Sequence, residues 1–383
     1  MDLSWSAEAE EFRAGLRKWL GANLPADWRA RCRSLDSYIE FQRDWDHRLA
    51  AAGLSGFWWP SEYGGSGASP ELRAVYAEEM ARANAPDGLA TLGLRLLAPA
   101  IMKFGTAEQK AELLPPILAA TTVWCQGFSE PEAGSDLASV RTRAHETADA
   151  FVVSGSKIWT SRAHFADAIF LLTRTDPSAE KHAGLTMLLV DMRSPGIQIS
   201  PLAQINGQSN FNQVFFSDVR VAKDRTLGGV GDGWAVARYI LTHERGAAGA
   251  LSASAHMEHH LRLFRNALEG SGVSGGEGLA RSALETAIVR LLAYRILDGQ
   301  LNGNDPGNLG SAVKLFWSES WQRLAETALL AAGPQAFAEY EPEPFADDTV
   351  ARFMDTRQRT IAGGSSEIQR EIISQHMLGL PRK

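Results

Sequence analysis

Two short runs in the first half of this 383-residue chain combine hydroxyl, amide and aromatic side chains at close spacing. The first is Gln-Gly-Phe-Ser-Glu-Pro-Glu-Ala-Gly-Ser-Asp at residues 126–136, and the second is Lys-Ile-Trp-Thr-Ser at residues 157–161. Such groups suit a planar heteroaromatic ligand, which needs donors and acceptors at its edge inside an otherwise apolar slot. Taken singly, the same residues are also consistent with a solvated glycine-rich turn and a core tryptophan.

Two further runs lie in the second half of the chain. Residues 241–246 read Leu-Thr-His-Glu-Arg-Gly, which places Glu244 directly before Arg245 in a helix-like segment. Residues 360–370 read Thr-Ile-Ala-Gly-Gly-Ser-Ser-Glu-Ile-Gln-Arg. A carboxylate such as Glu244 can act as a general base, although most helical glutamates are simply solvated. The Gly363–Gly364 pair lets the backbone approach a ligand closely, or forms an ordinary loop turn.

The histidines and cysteines do not predict a metal site. His256 and His260 have the i, i+4 spacing of metal ligands on one helix face, but no third ligand is obvious nearby. We therefore expect this pair to lie on a solvated or interface face, and we expect Trp317 and Trp321 to belong to a helical core. The two cysteines lack disulfide and zinc spacing, which favours reduced thiols in a cytosolic protein.

Composition is that of an ordinary soluble globular protein, with 45% hydrophobic and 22% charged residues. The net charge of −7 makes non-specific binding of nucleic acid unfavourable. The N-terminus has no basic start and no apolar core, so we expect no signal peptide. The apolar stretch 88–101 is too short for a membrane span and is interrupted by Arg95 and Pro99.

Periodicity predicts three regions in the order helical, β, helical. Apolar spacing near 3.6 residues indicates helices across the first ~120 residues, including 35–49 and 68–83, with Pro115–Pro116 marking a helix end. The next region predicts short strands: a hairpin around a glycine turn at 151–160, then 168–174, 185–190 and 213–216. The last predicts a bundle of long helices, at 234–245, 280–301, 311–330 and 366–378.

The predicted fold class is therefore α+β. It has an N-terminal all-α domain (1–120), a central small β-barrel or sandwich (121–225) and a C-terminal four-helix bundle (226–383). Periodicity alone predicts only this order of elements.

The runs at 126–136 and 360–370 together resemble the acyl-CoA dehydrogenase family, and the resemblance covers essentially the whole chain. It implies a helical domain, a β-domain and a C-terminal bundle, with FAD between them, in a protein that is usually a tetramer. The implied reaction is α,β-desaturation of an acyl-CoA thioester, with electrons passed to an electron-transfer flavoprotein.

The resemblance also implies roles for individual residues. The flavin contacts would be Gln126, Phe128, Ser129, Ser135, Trp159, Thr160, Ser161, Ser366 and Glu367. The substrate contacts would be Ser135, Arg245 and Gly363, whose backbone N–H is placed to polarise the thioester carbonyl.

One departure from the family pattern concerns the base. The α-C–H of a thioester is weakly acidic, so a positioned carboxylate must remove the proton. Many members carry this glutamate where this chain has Gly363, whereas others carry it on a bundle helix, directly before an arginine. The second pattern makes Glu244 the candidate base.

A second departure concerns assembly. Homotetrameric members carry an Arg-x-x-Phe-Gly…Gln segment that reaches a neighbour's FAD, but here the region around Arg262 and Arg265 lacks it, and residues 332–335 read Ala-Gly-Pro-Gln. Bacterial members with two kinds of subunit share such losses. We therefore expect the base-bearing subunit of an α2β2 heterotetramer in the cytoplasm, with a homotetramer as the alternative. A non-catalytic subunit and a flavin monooxygenase or oxidase are the rival functions.

Overall fold

The computed structural model describes residues 4–243, 247–271, 276–304, 308–338, 340 and 348–381. Contacts divide the chain into two compact units. The sheet unit comprises residues 34–66 and 87–244, and the helical unit comprises residues 1–33, 67–86 and 245–383. The chain therefore passes between the two units several times, and the helices of its first third are shared between them.

All eight strands found in the described residues belong to the sheet unit. They are β1 (Trp124–Gly127), β2 (Arg143–Glu146), β3 (Ala150–Ser161), β4 (Ala168–Arg174), β5 (Leu185–Asp191), β6 (Ile197–Leu202), β7 (Phe211–Ala222) and β8 (Thr226–Leu227). They form one mixed sheet in the order β6-β7-β3-β2-β4-β5-β8, with β1 paired in parallel to β4. The long antiparallel pair β3–β7 is the part of the sheet that carries the site described below.

The sheet is buried on both faces, because successive side chains of β4 alternate between two apolar cores. Phe170 and Leu172 pack in one core, and Ile169 and Leu171 in the other. The second core also contains residues of β3 and β7, such as Val153 and Val214, so the sheet curls around it.

Three helices contribute buried residues to the first core of the sheet unit: α5 (Ala98–Phe104), α6 (Ala107–Leu118) and α7 (Gly233–His243). The same unit also contains α3 (Leu35–Ala51). A single π-helical turn, Gly93–Leu97, leads directly into α5. Leu97, Ile117 and Ile240 bring the π turn, α6 and α7 into this core together with the strands.

The helical unit contains the remaining helices. They are α1 (Ala7–Asn23), α2 (Trp28–Arg31), α4 (Pro70–Arg82), α8 (Ala247–Ser271), α9 (Gly276–Leu301), α10 (Leu309–Ala332), α11 (Gln335–Ala338), α12 (Thr349–Thr356) and α13 (Ser366–His376). Long helices α8, α9 and α10 pack on one another, while α4 packs on α8 and α13 on α10. Buried side chains such as Leu251, Ile296 and Val313 form their shared core.

Several predicted elements are confirmed and others are wrong. The helix at 35–49 and the strand at 168–174 correspond to α3 and β4. The predicted hairpin at 151–160 is wrong, because β3 runs continuously from Ala150 to Ser161. Gly155, at φ +146°, lies at a shift in the register of β3 against β7, and the strand does not reverse there. A Cβ added at this position would lie 2.7 Å from the Thr142 Cα, which favours glycine.

Two further corrections concern helices. Pro115 and Pro116 lie inside α6, which continues to Leu118, so they do not end the helix. The 25-residue helix α8 was not among the predicted helices. Its apolar residues Met257, Phe264 and Leu268 are nevertheless spaced for one buried face.

Candidate functional site

Trp159 near the end of β3 is held in an unusual backbone conformation. Its φ is +58°, a left-handed value that is uncommon for a non-glycine residue. The register of β3 against β7 shifts between Lys157 and Thr160, so Trp159 lies in a β-bulge. The residue is 59% exposed, and its indole lies edge-to-face with the Phe211 ring, with centroids 6.2 Å apart. Strain that presents a large aromatic ring to the surface is typical of a ligand-binding position.

A buried ion pair joins the bulge to the first sequence run. Lys157 is fully buried, and its Nζ donates to Glu130 Oε1 at 2.8 Å and to the Phe128 carbonyl oxygen at 2.9 Å. The Glu130 carboxylate also accepts from the backbone N–H groups of Arg141 (2.6 Å) and Thr142 (2.8 Å). The pair is therefore well satisfied by hydrogen bonds, which is the condition under which a buried charge pair is tolerated.

The pKa values of the pair agree with a charged state at neutral pH. Burial raises the pKa of Glu130, but the charge and hydrogen bond of Lys157 outweigh that effect, so the pKa lies below its ordinary value. Burial lowers the pKa of Lys157 to about 8, against the opposing effect of Glu130.

The ion pair joins the two runs that carry seven of the predicted flavin-contact residues. The Ile158 N–H donates to the Ser129 carbonyl oxygen at 2.9 Å, so the end of the first run lies beside the bulge. Ser129 and Ser161 are half-buried, and their hydroxyls make no hydrogen bond to any residue that the structure describes. The exposed indole of Trp159 therefore has available hydroxyl groups on both segments.

The other residues of these runs have more varied environments. Phe128 is buried edge-to-face against Phe170, and Gln126 is half-buried in β1. Ser135 is exposed in the loop that follows β1. Thr160 is completely buried, and its carbonyl oxygen accepts from Asn212 Nδ2 at 3.1 Å, while its hydroxyl has no hydrogen-bond partner among the described residues.

Gly363, Ser366 and Glu367 form a second group, in the helical unit, at the start of α13. Gly363 and Gly364 have φ values of +66° and +94°, which favour glycine at both positions. Lys314 Nζ donates to the Gly364 carbonyl oxygen at 2.6 Å, and Gln369 Nε2 donates to both glycine carbonyls. Ser366 is buried, and its hydroxyl has no hydrogen-bond partner among the described residues. The fixed turn thus leads into a helix N-terminus, which favours negative charge.

The candidate base and its neighbour lie outside the described residues. Helix α7 is described as far as His243, and Glu244 and Arg245 follow directly in the sequence. Within the sheet unit, α7 packs against the π turn Gly93–Leu97 and against α5. Val236 and Ile240 of α7 share a core with Leu94 and Leu97 of the π turn.

His256 and His260, predicted to lie on a solvated or interface face, are half-buried and contact Trp321 of helix α10. The His256 ring stacks on Trp321, with centroids 6.1 Å apart, and Trp321 Nε1 donates to His260 Nδ1 at 2.9 Å. Trp321 itself is buried and Trp317 packs beside it, which confirms the prediction that both belong to the core. Among the described residues, no group of three metal-ligating side chains comes together.

Glu130 and Lys157 belong to the two sequence runs, but the sequence does not predict that they form an ion pair. A lysine at an inward position of a strand, opposite a motif glutamate, was the available signal. Asn212 and His164 were missed entirely: the Asn212 amide is buried beside Thr160 and lies 3.0 Å from His164 Nδ1. No sequence pattern pairs these two residues, because the β3–β7 register brings them together.

Comparison with known proteins identifies the family to which this chain belongs. Three family models match in sequence order: the acyl-CoA dehydrogenase N-terminal domain at residues 6–121, the middle domain at 125–219 and the C-terminal domain at 231–378. The chain belongs to the acyl-CoA dehydrogenase family. Its enzyme class is therefore that of the acyl-CoA dehydrogenases, which are oxidoreductases of the flavoprotein type. The predicted fold class, helical then β then helical, is confirmed.

Relatives match the acyl-CoA dehydrogenase chain over nearly its whole length. Acyl-CoA dehydrogenase IpdE1 of Mycobacterium tuberculosis is 40% identical over 385 residues, covering 98% of this chain and 99% of the relative. Among solved structures, a chain of the "Tcur3481-Tcur3483 steroid ACAD" has a TM-score of 0.88 at 31% identity, with 100% of both chains covered. A chain of the ChsE4-ChsE5 complex from Mycobacterium tuberculosis has a TM-score of 0.86 at 30% identity, again with 100% of both covered.

None of the described helices combines the length and the apolar character needed to span a bilayer. This includes the segment that contains Arg95 and Pro99.

Proposed function

We propose that this acyl-CoA dehydrogenase binds FAD and desaturates an acyl-CoA thioester between its α and β carbons. The observation that carries the proposal is the Trp159 bulge, where a strained strand presents an exposed indole beside the hydroxyls of Ser129 and Ser161. That donor set fits an isoalloxazine ring, which needs an apolar cover on one face and polar partners at its edge. Family membership supports the choice of FAD as the ligand.

The chain's own residues would hold and orient the two reactants. Ser129 and Ser161, with the backbone of Gln126 and Phe128, would contact the ring edge, and Trp159 would exclude water from one face. The Gly363–Gly364 turn would bring a backbone N–H to the thioester carbonyl, with Ser135 as a further substrate contact. FAD, when bound, supplies the hydride acceptor.

Glu244 would take the α-proton. The proposal rests on its sequence position, directly before Arg245 and directly after the last described residue of α7, which matches members that carry the base on a helix. A carboxylate in an apolar slot has a raised pKa, which makes it a stronger base than a solvated carboxylate. Arg245 would support the substrate pocket.

We further propose that the acyl group is bulky, as in sterol, branched or ring-containing compounds, and that this chain is the base-bearing subunit of a heterotetramer. The support is the named relatives: one solved structure is titled a steroid ACAD, and the ChsE4-ChsE5 structure is a complex of two different chains. An electron-transfer flavoprotein would reoxidise the cofactor. Reduced, buried Cys32 and Cys125 are consistent with a cytoplasmic location.

The deciding experiment is anaerobic titration of the purified holoenzyme with straight-chain, branched and ring-containing CoA esters, followed by flavin absorbance. We expect ring-containing esters to bleach the flavin most rapidly, and an added electron-transfer flavoprotein to restore the oxidised spectrum. Absence of bleaching by every ester would favour a non-catalytic subunit. Rapid reoxidation by oxygen alone would favour an oxidase or monooxygenase.

A further inference from the structure

Arg95 is a charged residue that none of the roles proposed above uses. It lies in the π turn Gly93–Leu97, and three of its neighbours in this turn, Leu94, Leu96 and Leu97, are buried. Single π turns inside helices are rare and often occur at functional sites, because the extra residue displaces one side chain from the regular helical face.

The surrounding structure holds this turn in place. Trp59 Nε1 donates to the Leu94 carbonyl oxygen at 3.2 Å, which satisfies one of the carbonyls in the turn. The turn also lies close to its neighbours at Gly93, where a Cβ would be 3.2 Å from Ile117 Cγ2 and 3.4 Å from Trp124 Cδ1. Arg95 is therefore presented by a rigid segment and not by a surface loop.

The guanidinium of Arg95 has no partner in the part of the chain that the structure describes. The residue is half-buried, and it makes no hydrogen bond, ion pair or ring contact with any described residue. Two other half-buried arginines of the sheet unit have backbone partners: Arg162 donates to the Gly88 carbonyl oxygen, and Arg174 donates to the Ala138 carbonyl oxygen. A partly desolvated cation is stabilised by an acceptor, so a ligand that reaches the π turn would bind more tightly if it brought an oxygen atom to Arg95.

The position of the turn relates Arg95 to the reaction. The π turn packs against α7, which is described as far as His243, and the proposed base Glu244 is the next residue in the sequence. Side chains of the turn and of α7 belong to one apolar core of the sheet unit. In the proposed function, the acyl group would extend from the base past α7 and the π turn, whose other side chains in this core, such as Leu94 and Leu97, are apolar.

We propose that Arg95 is a specificity residue that binds an oxygen acceptor on the acyl group of the substrate, either a carboxylate or a ring ketone. The inference rests on the proposed function. Guanidinium N–H groups match both acceptors, and the match to a carboxylate can be bidentate. An apolar acyl chain would leave the cation unpaired and would therefore bind less well.

The test compares three CoA esters with the same saturated ring: one without oxygen on the ring, its ketone and its carboxylate derivative. Steady-state kinetics with each ester are measured for the holoenzyme of the unmodified chain, Arg95→Met and Arg95→Gln. We expect the unmodified enzyme to prefer one oxygenated ester. Arg95→Met should lower kcat/KM for that ester about 10- to 100-fold, mainly through KM, and leave the unoxygenated ester unchanged.

Arg95→Gln distinguishes the two acceptors, because glutamine keeps an N–H donor and loses the charge. Retention of the preference identifies a ketone, and its loss identifies a carboxylate. The matched control is Lys110→Met on α6, which removes another half-buried cation without a partner among the described residues. This variant should leave the relative kcat/KM values of the three esters unchanged.

The inference is overturned if Arg95→Met affects all three esters equally, or affects none. A binding measurement accompanies the kinetics. The oxygenated ester is added to enzyme that carries Glu244→Gln, with and without Arg95→Met, and the shift of the flavin spectrum is followed. The double variant should need a higher ester concentration for the same shift. If the unmodified enzyme oxidises none of the esters, the proposed function itself fails, and that result differs from a lost preference.

Discussion

At the scale of single residues, the Lys157–Glu130 pair explains how two distant runs of sequence form one surface. The pair fixes the carbonyl of Phe128 and lies beside the hydrogen bond between Ile158 and Ser129. Trp159 has a positive φ, which costs conformational free energy for a non-glycine residue, so contacts of the surrounding residues must hold it in place. The pair is therefore a positioning device for groups that contact the proposed cofactor.

Replacing Lys157 by methionine should show this dependence. The change leaves Glu130 buried without its counter-charge, which typically costs about 3–5 kcal/mol in the free energy of unfolding. It should also weaken FAD binding more than the stability loss alone predicts, because Ser129 and Trp159 lose their fixed spacing. Urea unfolding and titration of the apoprotein with FAD measure the two effects.

The control for this prediction is Lys223→Met. Lys223 pairs with Glu146 at 2.7 Å, but both side chains are well exposed, so the loss should be about 0–1 kcal/mol with normal FAD affinity. Equal FAD affinities in the folded Lys157→Met and Lys223→Met proteins would show that the buried pair is only structural.

At the scale of elements, helix α3 anchors the segment that leads into the π turn. Asp46 on α3 is buried and accepts from the N–H groups of Leu89 (2.6 Å) and Ala90 (3.0 Å). Gly88 has a φ of +74°, and an added Cβ there would collide with the Asp46 carboxylate. The helix and the loop are thus held at a fixed separation by one carboxyl group.

This contact predicts a pH dependence of stability. Burial raises the pKa of Asp46 to about 6, although the two N–H donors and Arg162 act in the opposite direction. Because the folded protein then binds the proton more tightly than the unfolded chain, this group's contribution to stability is largest at low pH. The contribution is lost as the pH rises from about 4 to about 6, and it is on the order of 3 kcal/mol at most.

Urea unfolding of Asp46→Asn and the unmodified chain between pH 4 and pH 7 tests this. The free energy of unfolding of the unmodified chain should fall with pH relative to that of Asp46→Asn, because asparagine does not titrate. Asp44→Asn, at an exposed ion pair on the same helix, should follow the unmodified chain. Parallel curves for all three proteins would mean that Asp46 has an ordinary pKa.

The elements also show which features sequence patterns determine. The strand β4 was predicted with its bounds because a short apolar run, bounded by polar residues, is buried on both faces. The hairpin at 151–160 was wrong because Gly155 suggests a turn locally, whereas pairing with β7, some 60 residues later, keeps the strand continuous. Helix α8 was missed because many of its residues are alanine, serine and histidine, so its few large apolar residues give only a weak helical periodicity.

The candidate site divides in the same way. Residues that meet solvent, such as Ser129 and Trp159, are predicted as flavin contacts from the resemblance. Their supports are not: Lys157 and Asn212 act through register and burial, which a single sequence does not display. The π turn is likewise invisible to a pattern of period 3.6, because it differs from an α-helix by one residue.

At the scale of the whole molecule, the chain has the three regions of an acyl-CoA dehydrogenase but lacks one family segment near Arg262 and Arg265. If a partner subunit supplies the missing FAD contacts, the chain expressed alone should hold little FAD. Co-expression with a second acyl-CoA dehydrogenase-like subunit should give a heterotetramer with full flavin occupancy. Native mass and flavin-to-protein ratio measure this, and a fully yellow homotetramer from the lone chain would contradict it.

The account depends on Glu244 as the base, and rapid mixing under anaerobic conditions tests that assignment most directly. The rate of flavin bleaching by an oxidisable CoA ester is compared for the unmodified holoenzyme, Glu244→Gln and the exposed-site control Glu277→Gln. We predict that Glu244→Gln binds FAD normally and bleaches about 10²- to 10⁴-fold more slowly, while Glu277→Gln is unchanged. Bleaching of Glu244→Gln at nearly the unmodified rate would contradict the account.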